Sequence, residues 1–243
     1  LSSGLRINRA ADDSAGLAIS QRLRSQVDGL QMASQNAEQA KNMVQSAEGF
    51  LNEIHNMLGR MRELAVQSAS DTVDDDNRAS LHAEFNELRL EIDRISTSAE
   101  YNNQPLLDGT FTNKQFQVGP NGAADNTITF SIDGVSSTAM SIDATDISSR
   151  AGAISAMTEL TSAIDYVSEV RSNLGTIQNR LAYTVASVDN AAENLASSES
   201  TIRDLDISAE ISDFTKSQIL VQAGMAMLAQ ANAAPRNVLS LFR

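Results

Sequence analysis

The chain has no cysteine, no tryptophan and only three prolines in 243 residues. Without cysteine there is no disulfide, no thiolate zinc site and no thiol nucleophile. Aromatic residues make up 4% of the chain, so its core must be filled by Leu, Ile, Val, Met and Ala. Large globular cores usually draw on rings, because each ring buries so much area. Their scarcity here suits thin helix-on-helix packing. No apolar run approaches the roughly 18 residues that a membrane span needs, so no membrane insertion is expected. Positive charge is short as well. Lys and Arg number 18 against 31 Asp and Glu, a net charge of −13, which leaves nothing to replace the counterions of a nucleic acid. Such a charge suits a protein that stays soluble at high concentration. There is no initiator Met, which suggests a natural N-terminus cut away or cleaved.

What is present is helical periodicity. From Ala15 to Ser70 there is no proline, and Ala37, Ala40, Val44, Ala47, Leu51, Ile54, Leu58, Met61 and Ala65 recur at alternating spacings of three and four. That is the heptad seam of helices packed on helices. Met43, Phe50, Met57 and Leu64 form a second seam one position earlier. Two seams require two neighbouring helices and therefore a bundle. Gly29, Gly49 and Gly59 cost this helix about 1 kcal/mol each against Ala, so packing must hold it or a backbone must approach closely. "SDTVDDDN" at 70–77 reads as a solvated acidic turn, since calcium-loop spacing and its glycine are absent. A second helix follows, with Leu81, Phe85, Leu88, Ile92 and Ile95 in 4-3-4-3 spacing.

Residues 110–147 change character. "KQFQVG" and "NTITFSIDG" alternate apolar and polar residues around Pro120, Asn121 and Gly122, which predicts a small β-hairpin followed by a Ser/Thr/Asp-rich connector. Helical period returns near Ala153. Leu160, Val167, Leu174, Leu181, Val188, Leu195 and Ile202 recur every seven residues. This third helix needs a long partner, and the first helix is the obvious one. The last stretch is rich in Ala, Met and Leu and is interrupted by Gly224 and Pro235; nothing else in the sequence remains to cover its apolar face. The expected fold is mainly α, an elongated antiparallel helical bundle or coiled-coil rod with a small β-hairpin region.

No catalytic constellation emerges and no cofactor or metal is implied. His55 and His82 are the only histidines and fall on different helices. Serines are abundant, but there is no G-x-S-x-G elbow. "GPNG" at 119–122 is a turn signal, and the acidic residues spread along helix faces as solvated surfaces do. An enzyme is therefore not expected.

Several long stretches carry a resemblance. "LSSGLRINRAADDSAGLAIS", "RMRELAVQSAS", "EIDRIS" followed by "YNNQPLLDG", and the ending "SQILVQAGMAMLAQANAAPRNVLSLFR" resemble bacterial flagellin, in the same order and over nearly the whole chain. The resemblance implies a structural subunit that polymerises into the flagellar filament for motility and is exported through the flagellar secretion channel. It implies a missing N-terminal helix of roughly thirty residues. It implies a connector at 1–13, rod helices at 14–98 and 153–203, a β region and connector at 99–152, and a filament-core helix at 204–243. In the connector, Arg6, Arg9, Asp12 and Asp13 would contact neighbouring subunits, and Ala10, Ala11 and Gly16 would permit their close approach. The C-terminal residues Ile219, Leu220, Met225, Met227, Leu228, Leu239 and Leu241 would serve polymerisation and an export chaperone. Arg60, Leu64 and Glu84 match positions read by Toll-like receptor 5 of animal hosts, and would form one exposed patch. Other implied partners are further copies of the chain, the filament cap and hook-junction proteins. The filament would be extracellular, or periplasmic in a spirochaete-like cell. A hook–filament junction protein is the alternative within related helical ends, and a non-polymerising coiled-coil enzyme or adhesin is a third reading. The complete "RELAVQSAS" and "ILVQAGMAMLAQAN" stretches favour the filament subunit.

Overall fold

A computed structural model describes the backbone of residues 3–241 and the side chains of residues 3–232. In chain order it contains α1 (Ser14–Ser68), α2 (Asp75–Ser98), β1 (Glu100–Tyr101), β2 (Gln104–Pro105), β3 (Lys114–Gln117), β4 (Thr127–Phe130), α3 (Arg150–Arg203) and α4 (Ile207–Leu241). The mainly α reading with a small β region holds. The chain divides into two compact units, Asp28–Ala192 and Leu1–Val27 with Glu193–Arg243.

The unit Asp28–Ala192 holds the main core. Every member of the first α1 seam from Ala37 to Ala65 is at most 1% exposed. In the second seam Met43 and Leu64 are buried, and Phe50 and Met57 pack against the same core. Burial on both stripes means that α1 is covered from two sides. One cover is α2, whose Phe85 and Ile92 are fully buried. The other is α3, which runs antiparallel to α1: Gln178 donates to Glu48 at 2.7 Å, and Ile164 lies beside Gly59 and Val66. The seven-residue ladder of α3 is buried from Leu160 to Val188 and half-buried at Leu195 and Ile202.

The acidic turn at 70–77 is more than a solvated break. Asp74 caps α2 by accepting the Asn77 N–H at 2.8 Å, a common way to satisfy an orphan donor at a helix start. Arg78, itself buried, donates to the carbonyls of Ser68 and Val73 and so ties the end of α1 to the start of α2. Two hairpins follow α2. In the first, Asn102 and Asn103 both have positive φ (48° and 62°) and join paired residues Tyr101 and Gln104, the geometry of a two-residue type I′ turn. The second pairs Lys114–Gln117 with Thr127–Phe130 in antiparallel register, with Phe116 stacked on Phe130 at 4.8 Å. Pro120, at its tip, sits 3.1 Å from where a Cβ on Gly29 would be, so the glycine lets the hairpin tip approach α1 closely.

Residues 131–149 form the Ser/Thr/Asp-rich connector between β4 and α3, and it is packed and not solvated. They have no helix or strand, yet Ile132, Val135, Ser137, Met140, Ile142, Thr145 and Ile147 are all buried. Side chains replace the missing ladder. Asp93 accepts from the Ser137 N–H at 2.7 Å and its hydroxyl at 2.8 Å, and Arg89 donates to the Asp143 carbonyl. Ser68 donates to the Ile147 carbonyl at 2.5 Å and Tyr166 to the Gly134 carbonyl at 3.1 Å.

In the other unit, the start of the chain lies beside the end of α3. Leu5 forms an antiparallel bridge to Asp204, the Arg6 N–H donates to the Arg203 carbonyl at 2.7 Å, and the Leu205 N–H donates to the Gly4 carbonyl at 3.1 Å. The helix α4 passes through Gly224 and Pro235 without the interruption that those residues suggest. No described helix is long and apolar enough to cross a membrane.

Candidate functional site

Arg60 lies on α1 and Glu84 on α2. The hairpin brings them together: the guanidinium reaches Glu84 Oε1 from Nε at 3.0 Å and from Nη2 at 2.9 Å. A second carboxylate, Glu63, takes Arg60 Nη1 at 3.0 Å. These two hydrogen bonds, Glu63's first and Glu84's second, raise the arginine pKa further. About half of each side chain in the Arg60–Glu84 pair faces solvent. The patch is thus a fixed, exposed guanidinium flanked by two carboxylates. The sequence reading passed over Glu63, although its i,i+3 spacing from Arg60 was the available signal.

Leu64 does not join this patch. It is fully buried in the core, because the second α1 seam faces a packed neighbour and not solvent. The expectation of one exposed Arg60–Leu64–Glu84 surface is corrected to Arg60, Glu63 and Glu84.

Ile219, Leu220, Met225, Met227 and Leu228 are all exposed on α4, each at 59% or more. Ile207, Ile211, Phe214 and Val221 on the same helix are exposed too. Isolated exposed apolar residues are ordinary, whereas a contiguous set of this kind marks an interaction surface. The side chains of Leu239 and Leu241 lie outside the described residues.

The opening segment spends its polar groups within the chain. Arg6 Nη2 donates to the Ile202 carbonyl at 2.6 Å. Asp12 Oδ2 accepts the N–H groups of Arg9 at 2.8 Å and Asn8 at 3.1 Å, and these bonds hold its carboxyl below the usual range. Asp13 Oδ1 accepts from Ala15 and Gly16 and caps α1. Gly16 is small for an internal reason as well: a Cβ there would stand 2.7 Å from Ile7 Cδ1. Arg6, Asp12, Asp13 and Gly16 thus each have a role inside the chain, beside the contacts with neighbouring subunits that the resemblance implies. Arg9 makes no side-chain bond among the described residues.

The histidines stay apart. His82 stands 3.3 Å from Asp146 Oδ1 and accepts or shares the Ile147 N–H at 3.3 Å, while its Nε2 meets Asn86 at 2.8 Å. His55 Nδ1 is buried without a partner among the described residues. Asp146 accepts both the N–H and the hydroxyl of Ser148, which, with His82, lowers its pKa.

Comparison with known proteins gives these surfaces a context. A family model described as the bacterial flagellin N-terminal helical region matches residues 1–112, and one described as the bacterial flagellin C-terminal helical region matches residues 157–242. The chain is 46% identical over 243 residues to a flagellin of Halalkalibacterium halodurans, covering all of this chain and 89% of that protein. It is 42% identical over 262 residues to a flagellar filament 33 kDa core protein of Treponema phagedenis, covering all of this chain and 90% of that one. The crystal structure of Bacillus cereus flagellin superimposes with a TM-score of 0.57 at 28% identity, over 68% of this chain and 94% of that chain.

Proposed function

The chain belongs to the bacterial flagellin family and is a structural subunit of the flagellar filament, not an enzyme; from that premise we propose how its surfaces divide the work. Residues 204–243 serve as the filament-core helix, and 14–98 with 153–203 as the rod, with 99–152 packed on it and 1–13 as connector. The observation that carries this reading is the run of exposed apolar side chains on α4. Burying them against copies of the same helix yields about 25 cal/mol per Å² of apolar area, a drive that grows with every subunit added. The same helix, rich in Met, suits an export chaperone's groove before assembly.

Secretion through the flagellar channel, contacts with cap and hook-junction proteins, and recognition by Toll-like receptor 5 through Arg60 and Glu84 complete the proposal. They are supported by family membership and, for the receptor, by the exposed ion pair. The test is a triple variant, Ile219→Ser, Leu220→Ser and Met225→Ser. Light scattering in seeded polymerisation should show no filament growth, and titration should show loss of chaperone binding, with helicity elsewhere retained. Filaments growing at the normal rate would overturn the assignment of α4.

A further inference from the structure

Within the unit Asp28–Ala192, a hollow of about 280 Å³ lies between α1, the β1–β2 turn and β3. Its wall carries six carboxamides, those of Asn36, Gln39, Asn102, Gln104, Gln115 and Gln117. No charged side chain lines it, although one residue in five of this chain is charged. Tyr101 and Phe116 edge it, both half-buried against the core and Phe116 stacked on Phe130, and Ala40 and Met43 supply an apolar floor.

Two of the amides build the wall. Asn36 Nδ2 donates to the Gln117 carbonyl at 3.2 Å, and Gln117 Nε2 donates to the carbonyls of Gly119 and Asn121 at 2.8 and 2.7 Å. The side chains of Gln39, Asn102, Gln104 and Gln115 make no hydrogen bond to the protein among the described residues, and all four are exposed. The left-handed pair Asn102–Asn103 is what turns the chain tightly enough to set Asn102 and Gln104 on the same rim.

A carboxamide offers donors and an acceptor without charge. A hydroxyl has the same dual character, so the two match. An ionic ligand would surrender hydration here and meet no opposite charge. Aromatic faces carry partial negative charge and attract polarised C–H groups, which a sugar ring presents on its flat face. The volume falls just below the usual range of ligand clefts, about 300 to 1,000 Å³, so it suits one ring and not a nucleotide. We propose that this hollow is a subsite for one neutral sugar ring of a glycan, an activity separate from filament assembly. A backbone segment of a neighbouring copy could also satisfy amides, but it lacks the flat C–H face that the open part of Tyr101 would meet.

The full chain, labelled with ¹⁵N, is titrated with the methyl glycosides of glucose, galactose and mannose, and with glucose 6-phosphate. At least one neutral glycoside should give saturable shifts of the side-chain amide signals of Gln39, Gln104 and Gln115. Glucose 6-phosphate should bind more weakly. The double variant Gln39→Ala/Gln115→Ala, at exposed positions, should lose about tenfold in affinity, as two missing neutral hydrogen bonds imply, with an unchanged melting temperature. The proposal is overturned if no neutral glycoside gives a saturable shift or if the double variant binds as well as the parent. It is equally overturned if these amide signals respond only to protein concentration, which would mark a contact between copies.

Discussion

Arg60 and Glu84 meet across the α1–α2 hairpin at 2.9 Å with half of each side chain still open to solvent, while Leu64, one turn along the same helix, is sealed in the core. An exposed ion pair adds little to stability, since water and salt screen it. Arg60→Ala should therefore leave the thermal melt almost unchanged. If the pair is a receptor contact, the same variant should weaken ectodomain binding by roughly tenfold or more, as interface arginines often do. Leu64→Ala should instead cost about 2–5 kcal/mol of stability, and any loss of binding should follow the loss of helicity. Binding and melting measured on one preparation separate the two. Unchanged binding of Arg60→Ala would leave that residue as scaffold.

Leu181 and Gln178 lie three positions apart on α3 and differ in what they touch. Leu181 is fully buried in the ladder, and its truncation to Ala should cost about 2–5 kcal/mol in denaturant titration. Gln178 is half-buried and donates to Glu48. Gln178→Lys keeps a donor beside that carboxylate and should change stability little. Equal losses at the two sites would mean that the helix register is misassigned.

Asp13 accepts the Gly16 N–H at 2.9 Å. Replacing it with Ala should cost about 1 kcal/mol and fray the first turn of α1. Hydrogen exchange should accelerate at Ala15 and Gly16 and stay unchanged at Leu51. Uniform acceleration along α1 would contradict a local cap.

Asp146 gives stability a pH dependence of known sign. Ser148 lowers its folded pKa below the ordinary value of 3.8. The contribution is then fully present above that ordinary value and disappears as pH falls through the depressed folded one. Melting temperatures should hold as pH drops to about 4 and decline below it. Ser148→Ala removes the hydroxyl's share, so its deficit should be seen at neutral pH and shrink in acid. A deficit that grows in acid would reverse the sign and refute the assignment.

The helices were legible because periodicity is written in residue types that recur. Ala37 through Ala65 announced a buried stripe by spacing alone, and so did Leu160 through Val188. The resemblance singled out Arg60 and Glu84, and two helices joined by a short turn are what let them meet. Leu64 was placed on the surface by the resemblance, against its own second-seam spacing, which already called for a covering helix. Residues 131–149 were illegible for a different reason. Their burial rests on bonds such as Asp93 to Ser137 and Ser68 to Ile147, between residues 44 and 79 positions apart. No local pattern encodes such pairings. Arg78 was missed likewise, since a buried arginine becomes recognisable only when the carbonyls it serves are in view.

That irregular strap also bears on the order of events in folding. Its partners sit on α1, α2 and α3, so closing it yields nothing until all three are in place. Bonds that draw on three helices at once repay loop-closure entropy only after those helices have met, which places them late on the route. Ser137→Ala and Ile142→Val should accordingly speed unfolding and leave the refolding rate nearly unchanged in stopped-flow experiments. A slowed refolding arm would put the strap in the nucleus instead. A late strap makes the helices of this unit the first thing to form and the strap the latch that slows their undoing.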